Sequence, residues 1–157
     1  TSELIYNLAG GIRGENKLKA FIPGGSSANI LPAEKVDVPY DYESIAEAGS
    51  MLGSGALIVM DNTVNIVESA LRMAYFYMHE SCGKCTPCRE GTPRIVEMID
   101  DLNKDTDPED DLNEMLHLSN IIGTASLCGL GQAAGNPVKS ALFFFKEEIL
   151  SAVNTQK

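Results

Sequence analysis

"SCGKCTPCREGT", residues 81–92, carries Cys82, Cys85 and Cys88, three of the chain's four cysteines. The fourth, Cys128, lies in "SLCGLG", 126–131. Thiols three residues apart, in a chain without secretory features, read as a metal site rather than as disulfides. The patterning on either side of the triplet decides the fold.

Before it, Ile66, Val67, Ala70, Leu71, Ala74, Tyr75 and Met78 recur at helical spacing and predict one amphipathic helix. Three more helices are expected where a capping residue precedes proline: Thr92-Pro93, Asp107-Pro108 and Asn136-Pro137. The polar side chain caps free amides, and proline suits the first helical position because its missing N–H had no partner there. Apolar faces follow each start: Ile95, Val96, Met98, Ile99 and Leu102; Leu112, Met115 and Leu116; Val138, Ala141, Leu142, Phe145 and Ile149. Gly123 is expected to end the third helix. Four such helices with short connections predict a four-helix bundle over 63–157. The triplet then lies in the loop between the first and second helices, and Cys128 in the loop between the third and fourth. Two helices separate these loops, so an up-down bundle brings them to one end.

Residues 1–62 have a different texture, rich in glycine with short apolar runs. "SELIYNLA" (2–9) reads as a helix stopped by Gly10-Gly11. "LKAFI" (18–22) reads as a strand ended by Pro23-Gly24-Gly25, and "LIVM" (57–60) as a second, buried strand. The fold class is therefore α+β, a small mixed unit followed by the helical unit.

Composition narrows the function. The chain has 157 residues, 44% of them hydrophobic, and a net charge of -10. That charge argues against a nucleic-acid partner, since no basic field is present to displace counterions. No apolar run is long enough for a membrane-spanning helix, and no signal peptide is expected from the first residues. The carboxylate-rich run from Asp100 to Asp111 lacks the glycine and closing glutamate of an EF-hand loop and reads as a solvated linker. "GLGQAAG" (129–135) and "GSGA" (53–56) fail the dinucleotide fingerprint in glycine spacing or in position relative to a strand, and no P-loop is present. The aromatic runs 75–77 and 143–145 read as core and interface.

C-x2-C-x2-C with one remote cysteine matches the ligation of a [4Fe–4S] cubane by Cys82, Cys85, Cys88 and Cys128. Gly83 and Pro87 let the backbone wrap closely, and Lys84 and Arg89 bring positive charge that favours the reduced state. The alternative is a structural zinc site using the four cysteines or borrowing His79. His79 and His117 are tied to no nucleophile pattern. Spacing alone reaches an electron-transfer module, since four thiolates leave the cluster no open position for substrate.

"ESCGKCTPCREGT" (80–92) resembles the signature of the NADH-binding, flavin-containing subunit (51 kDa or F type) of respiratory complex I and its relatives in NAD-linked hydrogenases and formate dehydrogenases. "LKAFIPGGSSANIL" (18–31) and "AGSMLGSGALIVMD" (48–61) resemble that family's soluble-ligand-binding β-grasp (SLBB-like) segment. "SLCGLGQAAGNPVKSALFFFKEEI" (126–149) resembles the segment around its last cluster ligand. The resemblance implies a partial β-grasp domain over 1–62 and an iron–sulfur helical bundle over 63–157. It also implies that Cys82, Cys85, Cys88 and Cys128 hold a [4Fe–4S] cluster that takes electrons from reduced FMN. The expected partners are a 24 kDa-type [2Fe–2S] subunit and a larger iron–sulfur subunit. The family's "GRGGAGFPTG"-type flavin loop does not occur in this sequence, so FMN and NADH binding are expected in a preceding domain. The expected role is electron relay within an NADH:quinone oxidoreductase, on the cytoplasmic side and peripheral to the membrane. The alternatives are the equivalent subunit of a soluble NAD(P)-linked hydrogenase or formate dehydrogenase, and a structural zinc module.

Overall fold

A computed structural model describes residues 1–102 and 108–155. The architecture is α+β, with a small antiparallel sheet and mostly helical structure after it. The chain divides into two compact units, Thr1–Asn65 and Ile66–Lys157.

In the first unit, β1 (Leu18–Ile22) is the centre of a three-stranded antiparallel sheet. β2 (Leu31–Pro32) pairs on one side and β3 (Ile58–Asp61) on the other. Ala20, Phe21 and Ile22 are all buried, because a central strand is covered on both faces and need not alternate. β3 departs from the expected buried strand. It is an edge strand, shifted by one residue, and Ile58 and Val59 are each 40% exposed. The helix expected at 2–9 is present, widens into a π-turn over Leu4–Leu8, and ends at Gly10 and Gly11, both with φ near +84°. β2, a 3-10 turn at Ala33–Lys35 and α1 (Tyr42–Glu47) carry too little periodicity to be read from sequence. α1 is specified by its cap: Asp41 Oδ1 accepts the Ser44 N–H at 2.7 Å. Gly24 explains the break after β1. A Cβ there would run into the Met51 and Leu52 carbonyls, so only glycine lets the two backbones meet.

The second unit contains α2 (Ile66–Glu80), α3 (Thr86–Asp101), α4 (Pro108–Ala125), α5 (Gly129–Ala134), α6 (Asn136–Phe144) and α7 (Lys146–Thr155). α2 packs on α3, α3 on α4, and α6 against both α2 and α4. Their shared core includes Ile66, Ala70, Ile95, Ile99, Met115, Ile122 and Val138. Each fully buried aliphatic side chain of this kind contributes about 1.5–3 kcal/mol relative to exposure. Among the described residues no helix is long and apolar enough to cross a membrane.

Several helix boundaries differ from expectation. α3 starts at Thr86, not Thr92, with Pro87 in its first turn. Thr86-Pro87 repeats the Thr-Pro pair earlier in the chain, but both residues lie in the first turn, and Cys85 holds the cap position without a side-chain cap bond. Pro93 lies inside the helix and Thr92 is buried there, its Oγ1 donating to the Cys88 carbonyl at 2.9 Å. Gly123 does not end α4, which runs on to Ala125. A Cβ on Gly123 would lie 3.3 Å from the Gln132 carbonyl, so the residue serves a close approach to α5. The expected loop around "GLGQAA" is α5 itself, and the last helix breaks after Phe144, which puts Ile149 in α7. On α2 the buried aromatic is Tyr77, while Tyr75 and Phe76 face outward; Phe143 is 79% exposed. The expected Asp107 cap lies outside the described residues, as does the middle of the acidic run.

Candidate metal centre

The end of α2 and the start of α3 are joined by five residues, 81–85, and this short link holds Cys82 and Cys85. Gly83 turns the link with φ +74°. Arg89 fixes that turn from the helix, its Nη1 donating to the Gly83 carbonyl at 2.9 Å while its Nε pairs with Glu90 at 2.8 Å. Cys85 is the residue that leads into α3, in extended conformation, and Cys88 is one turn in and only 5% exposed. Cys88 is thus a helical residue and not part of the expected loop. Cys128 leads into α5 in the same extended conformation. α5 packs on α2, α3 and α4, which carries Cys128 to the triplet. All four cysteines line one cavity of about 110 Å³, together with Lys84 and Leu130.

The second loop also supplies donors to the first. The Leu127 amide is the main influence holding the Cys85 thiol below its ordinary value. Burial works against it, and the Cys88 amide, the Ser126 hydroxyl and the Cys85 amide add to it. The Cys88 and Ser126 groups approach without completing a bond: α3 has no side-chain cap bond, and Ser126 Oγ is buried without a partner. A protonated thiol is a weak acceptor, so such donors stay unsatisfied until the sulfur is a thiolate. On the other side, the Cys88 thiol donates to Ser81 Oγ at 3.2 Å, and the Gly83 amide donates to the same oxygen at 3.3 Å.

These residues fit an iron–sulfur cluster. Four soft thiol ligands suit iron–sulfur chemistry. At about 110 Å³ the cavity far exceeds the ~10–15 Å³ that one water needs on the same measure, so it has room for more than a bare ion. The backbone is kept close beneath it: a Cβ on Gly131 would strike Ser126 Oγ and stand 3.2 Å from the Cys88 Cβ. A tetrahedral zinc instead needs four sulfurs about 2.3 Å from a single point. His79 and His117 lie exposed on α2 and α4. Ser81, Ser126, Leu127 and Gly131 escape the reading from spacing. Their one sequence signal is nearness to a cysteine, which does not tell a donor from a bystander.

Residues 68–152 match the family model described as the NADH-ubiquinone oxidoreductase-F iron-sulfur binding region. The chain belongs to this family. It is also similar to curated proteins named as the F subunit of NADH-quinone oxidoreductase. That of Mycobacterium bovis is 43% identical over 149 residues, which is 95% of this chain and 34% of the relative. That of Rickettsia rickettsii is 42% identical over 154 residues, 98% of this chain and 37% of the relative. The chain therefore spans about a third of the length of these F-type relatives. Among solved structures, an NAD+-reducing [NiFe]-hydrogenase in the H2-reduced state superposes with a TM-score of 0.79 at 28% identity, over 94% of this chain and 25% of that one.

Proposed function

We propose that this member of the F-type family is the electron-relay segment of an NADH:quinone oxidoreductase, holding a [4Fe–4S] cluster through Cys82, Cys85, Cys88 and Cys128. The observation that carries the reading is the single cavity lined by all four cysteines in a chain of this family. When bound, the cluster supplies one-electron transfer. The residues do the rest. Four thiolates fill the outer coordination positions and leave none for substrate. The Leu127 amide donates toward the Cys85 sulfur. Arg89 clamps the Gly83 turn that sets Cys82 apart from Cys85.

FMN and NADH belong, in this reading, to the remaining part of a full-length subunit and to no residue named above. The partners are iron–sulfur subunits, a 24 kDa-type [2Fe–2S] protein and a larger one. The complex is peripheral to the cytoplasmic face of a membrane. Residues 1–62 are a partial β-grasp domain, a reading supported by the antiparallel sheet and the helix α1. Residues 63–157 are a cluster-binding helical bundle, supported by the mutual packing of α2, α3, α4 and α6.

The hydrogenase structure favours a second reading, the equivalent subunit of an NAD-linked hydrogenase. The higher identity to the F-type proteins of NADH-quinone oxidoreductase puts the first ahead. The family's iron–sulfur description tells against a structural zinc module.

Anaerobic loading tests the assignment. The expected product carries about four irons and four acid-labile sulfides per chain, with an EPR signal on reduction. Cys128→Ser is expected to lose or alter that signal. One zinc and no sulfide would sink the proposal.

A further inference from the structure

Two serine hydroxyls stand against the cysteine cradle, one from each loop. Ser126 is only 5% exposed, and its Oγ has no hydrogen-bond partner. Leaving a buried hydroxyl unpaired is unfavourable, so such an atom points to a partner still to come. Ser126 is packed against the triplet: a Cβ on Gly131 would strike its Oγ and stand 3.2 Å from the Cys88 Cβ, and the same hydroxyl is among the influences that lower the Cys85 thiol. Gly131 keeps the space around the hydroxyl tight, since a Cβ there would displace Ser126. Ser81 meets the other half of the triplet. Its Oγ accepts from the Gly83 amide at 3.3 Å and from the Cys88 thiol at 3.2 Å. Once Cys88 is a thiolate it has no proton to give, and the contact must reverse. The Ser81 hydroxyl then donates, and the Gly83 amide behind it polarises the donor.

We propose that Ser126 and Ser81 are positioning residues that set the reduction potential of the centre, Ser126 donating to the Cys85 thiolate and Ser81 to the Cys88 thiolate. The inference rests on the ligand assignment made above. No bond forms or breaks and no proton leaves either serine. Adding one electron raises the negative charge on the sulfurs, and a fixed O–H dipole aimed at them stabilises the reduced form more than the oxidised one. Both serines therefore raise the potential. Arg89 does not take this role, because it is engaged with Gly83 and Glu90.

The full chain is loaded anaerobically with iron and sulfide as wild type, Ser126→Ala, Ser81→Ala and Ser81→Thr, and each is titrated redox-potentiometrically by EPR. Both alanine variants are expected to keep the wild-type iron and sulfide content. Each is expected to show a reduction equilibrium constant lowered by up to about tenfold, which is about 59 mV for a one-electron couple. Ser81→Thr keeps a hydroxyl and should restore the wild-type value. Resonance Raman should show iron–cysteine stretching bands moved to higher frequency in the alanine variants, with the D2O sensitivity of those bands reduced. Loaded alanine variants with wild-type potentials and bands would overturn the inference while leaving the ligand assignment intact. If Ser126→Ala fails to load, the Ser81 pair decides: a lowered potential restored by threonine supports the inference, and no change refutes it. A wild-type chain that takes up no iron and sulfide removes the ligand assignment, and this inference falls with it.

Discussion

Gly131 is as deeply involved in the candidate centre as the cysteines. Its missing side chain leaves the space that Ser126 fills, and a Cβ there would sit 2.5 Å from the Ser126 Cβ, a backbone-anchored atom that rotamer changes cannot move away. Gly131→Ala is expected to destabilise the helical unit by about 1–3 kcal/mol through overpacking. Urea unfolding measures that loss, and iron content after gel filtration should fall in the same variant. A variant as stable and as iron-rich as wild type would show that the cradle gives way easily. Tyr77 offers a second test at this scale. It is the buried aromatic of α2, and burial pushes its phenol from 10.0 up to about 12. The folded value lies above the unfolded one, so its contribution to stability is complete below pH 10 and is lost as the pH rises toward 12. Phenolate absorbance should show a late step near pH 12 that Tyr77→Phe removes. A Tyr77→Phe profile identical to wild type would refute it.

At the scale of elements, the contact between α3 and α4 depends on one small residue. A Cβ on Gly91 would stand 2.5 Å from Ile122 Cγ1 and 2.6 Å from Cδ1, both in the core. Gly91→Ala is therefore expected to cost about 1–3 kcal/mol despite alanine's better helix propensity. Ile122→Ala alone leaves a cavity and should cost about 2–5 kcal/mol. The double variant should cost clearly less than the two together, because the new methyl enters the space that Ile122 vacates. Additive losses in chemical denaturation would show that the helices separate instead of interlocking. The same scale explains the misplaced start of α3. Thr86-Pro87 and Thr92-Pro93 carry the same local signal, and only the first is at a helix end. Thr92 offers its hydroxyl to the Cys88 carbonyl within the helix, so its polarity is satisfied without capping.

For the whole molecule, all four cysteines belong to the unit Ile66–Lys157. Holding them together ties the link before α3 to the link before α5, so losing the centre removes a cross-link from that unit alone. Hydrogen exchange is the suitable probe, because it reports each unit separately. With the cluster removed, amide protection in α3 and α5 is expected to drop tenfold or more, about 1.4 kcal/mol. Amides of β1 should keep theirs. Equal loss in both units would mean that the chain unfolds as one body. The acidic surface, with a net charge of -10, is a property of the molecule that names no partner by itself.

The sequence by itself determined the α+β class, the central strand at 18–22, the helix before the triplet and the grouping of three close thiols with one distant one. These follow from periodicity and spacing, which act over a few residues and are written directly in the chain. Tertiary structure decided which Thr-Pro pair starts a helix, that Cys88 sits inside α3, and that the Leu127 amide and the Ser126 hydroxyl reach Cys85 from more than forty positions away. It also decided why Gly123 and Gly131 are glycines. The two glycines and the approach of Leu127 and Ser126 follow from α5 packing against α3 and α4. A glycine that ends a helix and one that admits a neighbour look alike until the neighbour is in place.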